Sequence, residues 1–254
     1  MFYPDRHHPV FFLEDELRKA GAEVEFNHRD ARTLGCWGLI VNGTPLVWLI
    51  DNRWPHEAEK EDPAAAELLK RGALVCCAQK RDAERVGGRW LPLAASPEYL
   101  VPAPPMPVIY DVAFVGYIRD YGRGELLSLL ASHYITCIQQ GVFGVSAVTA
   151  YQQARCGVNV PTRFGEELAY DIPMRVTEIA ATGTPLVTNY LPELAELGFV
   201  DAQTCFTYRD DSGLLKAINK VIATEGIGAA GRALVLERHT YVHRARQVLD
   251  WLNG

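Results

Sequence analysis

Short apolar runs recur along this chain, each alternating with a segment of helical period that closes on a glycine. Ala73–Cys77, Asp111–Val115, Gly157–Val160, Pro185–Thr188 and Thr204–Tyr208 are such runs, and Gly21, Gly72, Gly87 and Gly183 stand just past the helical segments. Strands this short and continuously apolar are buried on both faces, so they predict parallel sheets covered by helices. Glycine at those positions is the usual left-handed helix stop. A stretch holding Pro97, Pro102, Pro104, Pro105 and Pro107 interrupts the alternation. Proline lacks an N–H and restricts the residue before it, which predicts an extended connector over 97–109. The expected fold class is therefore α/β, with two facing Rossmann-like, doubly wound domains. The first is an abbreviated domain over 1–96 and the second covers 110–238. A terminal helix over 239–254 is expected to cross back to the first.

At 254 residues the chain has room for two small domains, each with its own core. The apolar runs, such as Pro45–Ile50, fall far short of the ~20 residues of a membrane span. The amino terminus has no basic segment leading into an apolar one, so a cytoplasmic protein is expected. The formal charge of −6 is shared evenly: residues 1–100 carry 13 basic and 16 acidic groups, the rest 12 and 15. Neither half is a basic domain of the kind that grips nucleic-acid backbones. A local groove of Arg53, Lys80, Arg81, Arg85 and Arg89 keeps DNA open as a partner. The six cysteines form no C-x-x-C pair and no cluster at zinc spacing, which predicts reduced structural thiols.

The dinucleotide and P-loop fingerprints fail. The nearest approach, Gly122-Arg-Gly124-Glu-Leu-Leu, has leucine at the third glycine position and lies well past its strand. Two other segments carry more. In the first, a buried strand ends at Gly116, with Arg119 and Arg123 at the mouth of the next helix. This is either a plain turn with two solvated arginines or an anion site for a diphosphate, built on a helix N-terminus. The second runs from Arg175 through Glu178 and Gly183-Thr-Pro-Leu-Val to Thr188-Asn189. Arg175 and Glu178 share a helix face, either as a surface ion pair or as groups aimed at a ligand from a mostly apolar helix. Thr188 and Asn189 form a polar pair at the carboxyl end of the next strand, where ligands of open α/β sheets bind.

Taken together, Arg-x-x-Glu-x-x-x-x-Gly-x-Pro-Leu-Val-Thr, the Phe-Val-Gly116 strand end followed by Arg123, and His239-Thr-Tyr-Val-His-Arg244 resemble nucleotide-sugar glycosyltransferases of the GT-B fold. The spore-maturation-type branch is the nearest. The resemblance covers about residues 108–252 and, more loosely, 45–100. It implies a glycosyltransferase that moves a sugar from a nucleotide diphosphate, a UDP-sugar first of all, to a hydroxyl acceptor. It also implies no cofactor and no metal. Glu178 would accept hydrogen bonds from the ribose hydroxyls, and Gly116, Arg119 and Arg123 would hold the diphosphate, with Arg175, Thr188 and Asn189 completing the donor site. The acceptor would be a glycan precursor or, given the compact chain, a hydroxymethylated pyrimidine in phage DNA. A non-catalytic sugar-nucleotide binding protein is the rival.

Where retaining relatives carry a glutamate eight positions before the ribose glutamate, this chain has Tyr170, beside Asp171. Arg163 and Glu166 are further candidates for the cleft. A base that deprotonates the acceptor is expected from a strand end of the first domain. Asp51 is the leading candidate, directly after Pro45–Ile50, followed by His7 and His8.

Overall fold

The computed structural model describes residues 8–27, 37–50, 55–101, 106–118, 122–164, 167–168 and 171–254. It divides into two compact units: residues 1–94 with 241–254, and residues 95–240.

In the first unit, helix α1 (Pro9–Lys19) precedes strands β1 (Val24–Phe26), β2 (Trp37–Val41) and β3 (Thr44–Leu49). Helix α2 (Pro55–Lys70), β4 (Leu74–Cys77), α3 (Lys80–Val86) and β5 (Arg89–Trp90) follow. The sheet order is β1-β2-β3-β4-β5. Only β3-β4-β5 is parallel; β1, β2 and β3 are antiparallel neighbours, a departure from the expected parallel sheet. The cause is local. Asn42 and Gly43 both take positive φ, 48° and 79°, the backbone of a two-residue hairpin turn whose twist matches that of the strands it joins. Helix α2 also starts at Pro55 instead of Asp62, and takes Pro63 into its interior.

The last helix of the chain, α11 (Tyr241–Asn253), belongs to this first unit. Tyr241 packs its ring against Phe12 of α1 and Trp48 of β3, at centroid distances of 5.3 and 6.5 Å. Arg244, only 2% exposed, donates from Nε to Pro92 O (2.6 Å) and from Nη2 to Leu93 O (3.4 Å). Burial lowers its pKa to about 10. Backbone carbonyls thus carry the charge-assisted bonds that make a buried guanidinium tolerable. Arg244→Met should therefore cost about 2–4 kcal/mol in urea unfolding, because it strands two carbonyls. A loss under about 0.5 kcal/mol, the range of an ordinary surface change, would refute this role.

The second unit holds α4 (Pro97–Leu100), β6 (Tyr110–Val115), α5 (Arg123–His133), β7 (Thr136–Gln139), α6 (Gly144–Gln152) and β8 (Ala154–Val158). It continues with a small hairpin of β9 (Arg163–Phe164) and β10 (Glu167–Leu168), then α7 (Met174–Ala181), β11 (Leu186–Asn189) and α8 (Pro192–Glu196). β12 (Phe206–Tyr208), α9 (Asp211–Ile222) and α10 (Ile227–Arg238) complete it. Its five-stranded sheet, β12-β11-β8-β6-β7, is parallel throughout, as expected.

Alternation along the strands builds two packed faces. Val112, Phe114, Cys156, Val158 and Val187 meet Leu126 and Leu130 of α5 and Leu214 and Ile218 of α9 on one face. On the other, Gly157 lets α7 come close, since a Cβ there would lie 2.6 Å from Ile179 Cγ2. The proline-rich stretch begins with one helical turn, α4, instead of an extended chain. Pro97 sits in its first turn, where its missing N–H costs nothing. The α/β class with two Rossmann-like units is the observed architecture. Among the described residues no helix is long and apolar enough to cross a membrane.

Candidate functional site

Parallel strands direct their carboxyl ends toward one edge of the sheet, and in the second unit a polar network sits there. Its centre is Asn159, fully buried one residue past β8. Asn159 Nδ2 donates to Thr188 Oγ1 (3.2 Å) and to Asn189 Oδ1 (2.9 Å) at the end of β11. Its backbone carbonyl accepts from Tyr208 Oη (2.8 Å) at the end of β12. Its Oδ1 accepts from Arg175 Nη1 (2.9 Å) in the first turn of α7. Arg175 Nε in turn donates to Val115 O (2.7 Å), the last residue of β6. One guanidinium and one amide therefore tie four strand ends together. A buried network satisfied this fully holds its members in fixed positions.

Gly116 has a different use from the one its position suggested. A Cβ on Gly116 would overlap Arg175 Nη2 and come within 3.0 Å of its Cζ. The absent side chain thus admits the Arg175 guanidinium, which also lies over the Phe114 ring at 4.6 Å. Arg123 is likewise not a solvated arginine. Its Nε donates to Val160 O (2.8 Å) and its Nη1 to Tyr117 O (2.6 Å), bracing the loop between β6 and α5 against the end of β8.

Glu178, three positions further along α7, is 9% exposed. Arg175 and Glu178 are not the surface ion pair that their spacing allowed, because each turns to its own partner. Glu178 Oε1 accepts from Ser96 Oγ at 2.8 Å. Burial raises the Glu178 pKa to about 7, against the lowering effects of the Ser96 hydrogen bond and of Arg175; Glu98 adds to the rise. Near neutrality this carboxylate exists in both protonation states, which is characteristic of functional sites.

Thr188 and Asn189 lie where they were expected, buried at the carboxyl end of β11, though their partners are protein groups. Asp171 is half-buried ahead of α7. Arg163 lies on β9, and its side chain is outside the described residues, as are Asp51, His7, Arg119, Glu166 and Tyr170. His8 is the N-cap of α1: its Nδ1 accepts from Val10 N (3.4 Å), and burial lowers its pKa to about 4. A ring so placed serves as a helix cap, and its low basicity suits it poorly to proton abstraction near pH 7. Asn159 and Ser96 were not anticipated. A lone asparagine in the otherwise apolar Gly157–Val160 run was the available signal for the first; nothing local signals the second.

Known proteins share the fold of this chain. The model of a family described as glycosyl transferase-like matches residues 112–250. Among solved structures, a sucrose-phosphate synthase from Thermosynechococcus elongatus superposes with a TM-score of 0.59 at 13% identity. That match covers 77% of this chain and 61% of the other, so this chain spans less than two thirds of that relative's length. A glycosyltransferase from Rickettsia africae ESF-5 gives 0.55 at 11% identity, covering 98% and 82%. Anabaena Alr3699/HepE, solved with UDP and glucose, gives 0.54 at 14%, covering 82% and 71%. These likenesses are of fold. No curated protein matches the chain.

Proposed function

We propose, from a chain that belongs to the glycosyl transferase-like family, that this protein transfers a sugar from a nucleotide-diphosphate donor to a hydroxyl acceptor. The observation that carries the proposal is the anchored Arg175 guanidinium beside Glu178, at the carboxyl ends of a wholly parallel sheet. In this scheme the donor ribose hydroxyls donate to the ionised Glu178 carboxylate, which can only accept. Arg175 and the first turns of α5 and α7 face the diphosphate. Neither helix has a side-chain cap on its N–H groups. As the bond between the sugar C1 and the diphosphate oxygen breaks, the electron pair goes to the diphosphate, and a guanidinium already in place stabilises the developing charge. No metal is required for that role. The base that takes the acceptor proton is proposed at Asp51, ahead of His7.

UDP is the first nucleotide to test, because HepE was solved with it. A glycan acceptor is favoured over DNA. Arg85, part of the suggested basic groove, is already paired with Asp62 (2.6 Å) and Asp82 (2.7 Å), and Lys80 lies 4.0 Å from Glu84. The spore-maturation-type branch remains the proposed placement within the family.

The experiment is thermal unfolding against UDP, GDP, dTDP, ADP and CMP, followed by assay of nucleotide release from the matching sugar donor. A nucleotide at 100 times its Kd should add about 2.7 kcal/mol. Asp51→Asn should abolish turnover and leave that stabilisation unchanged. Stabilisation without turnover by the wild type would identify a non-catalytic sugar-nucleotide binder. No stabilisation by any nucleotide would overturn the proposal.

A further inference from the structure

Ser96 stands where a serine would ordinarily cap a helix, yet it does not. It is the N-cap residue of α4 with extended backbone angles, and its side chain makes no capping bond. Its hydroxyl goes instead to Glu178 Oε1 at 2.8 Å, across 82 positions of sequence, with Met174 Sδ at 3.7 Å. Ser96 is 2% exposed, so little water reaches that bond. The neighbouring residue fixes it in place: Ala95 N donates to His239 O (3.0 Å), and Ala95 bridges Thr240. A short, buried hydrogen bond made in place of a cap has a definite electrostatic consequence. A hydroxyl has one proton to give, and it stabilises the acceptor that is ionised over the one that is protonated.

We propose that Ser96 is a positioning residue for the donor site, holding the Glu178 carboxylate ionised and oriented so that its other oxygen is presented to the ribose hydroxyls of a nucleotide. This rests on the donor-site assignment given above. The charged and titratable groups acting on Glu178 come from three helices. Glu98 and Tyr99 of α4 oppose its ionisation or are themselves held neutral beside it, Tyr151 of α6 is buried and held neutral, and Arg175 of α7 favours ionisation. Among these, Ser96 contributes a directed hydrogen bond, which fixes a rotamer as well as a charge. When a donor binds, the carboxylate carries Ser96 on one oxygen and ribose on the other. Without Ser96 the carboxyl group takes up a proton more readily, and a protonated carboxyl has lost half of its capacity to accept.

The test follows the Glu178 carboxyl carbon by NMR titration of the intact, ligand-free protein, in parallel with calorimetry using UDP-glucose. That probe is chosen because its diphosphate is esterified at both ends and has no proton that titrates near neutrality. Wild type should titrate at about 7. Ser96→Ala should move the midpoint about one pH unit higher and weaken UDP-glucose at pH 7 by roughly fivefold, a loss recovered as the pH is raised. Ser96→Thr, which keeps the hydroxyl, should restore both values; a merely structural role would not link the midpoint to the affinity. A Glu178 midpoint unmoved by Ser96→Ala, with UDP-glucose still bound, overturns the role of Ser96 alone. No binding of UDP-glucose by the wild type overturns the donor-site assignment and, with it, the purpose given to Ser96.

Discussion

Gly116→Ala is expected to lower stability by about 2–4 kcal/mol, and to weaken nucleotide binding at least about tenfold even where the protein remains folded. Two costs add. The backbone at Gly116 has φ of 155°, a conformation that side chains rarely adopt, and the new methyl group occupies the place of Arg175 Nη2. The guanidinium is the softer partner and moves, so its bonds to Val115 O and Asn159 Oδ1 are stretched and partly lost. A charge-assisted bond is worth about 1.5–3 kcal/mol, which makes this the larger share. A double-mutant cycle separates the two. In an Arg175→Ala background the alanine should cost only the backbone strain, giving a coupling of about 1 kcal/mol or more in urea unfolding. Additive effects would show that Gly116 and Arg175 do not share the space.

Glu178→Gln is expected to stabilise the ligand-free protein at pH 8 while weakening its grip on the donor. Glu178 titrates at about 7 in the folded state against a model value of 4.5, with burial as the leading cause. A carboxyl group with a raised folded pKa contributes stability that is fully present below about 4.5. That stability is lost as the pH rises to 7. At about 1.4 kcal/mol per pH unit the loss amounts to about 3 kcal/mol. A neutral glutamine removes it, so the stability of the variant should be flat across that interval while the wild type declines. UDP should bind the variant at least about tenfold more weakly, since the amide offers one acceptor where the carboxylate offers two. A wild-type stability that did not fall between pH 4.5 and 7 relative to the variant would refute the buried-carboxylate account.

Much of the second unit could be read from sequence because its strands are short, continuously apolar and punctuated by glycine, so local pattern and tertiary burial agree there. Thr188 and Asn189 fell at the carboxyl end of β11 for the same reason. The first unit was harder. Asn42-Gly43 carried the hairpin signal, yet the strands beside it read as two more parallel members, since an apolar run does not announce the direction of its neighbour. Gly116 illustrates a deeper limit. A glycine at a strand end reads as room for a ligand, and only the fold reveals that the occupant is a side chain from 59 positions further on. Ser96 and Glu178 meet through long-range topology alone, and Asn159 lay inside a run counted as strand. His8 read as a candidate base, whereas its position at the start of α1 makes it a cap.

The central claim is that a nucleotide diphosphate binds at the anchored Arg175. Calorimetric titration of UDP into the wild-type protein and into Arg175→Met at pH 8, where Glu178 is ionised, tests it most directly. UDP should bind the wild type, and Arg175→Met should lose at least about 1.4 kcal/mol, a factor of ten in Kd. No heat of binding with the wild type, or an equal Kd for a folded Arg175→Met, would contradict the account.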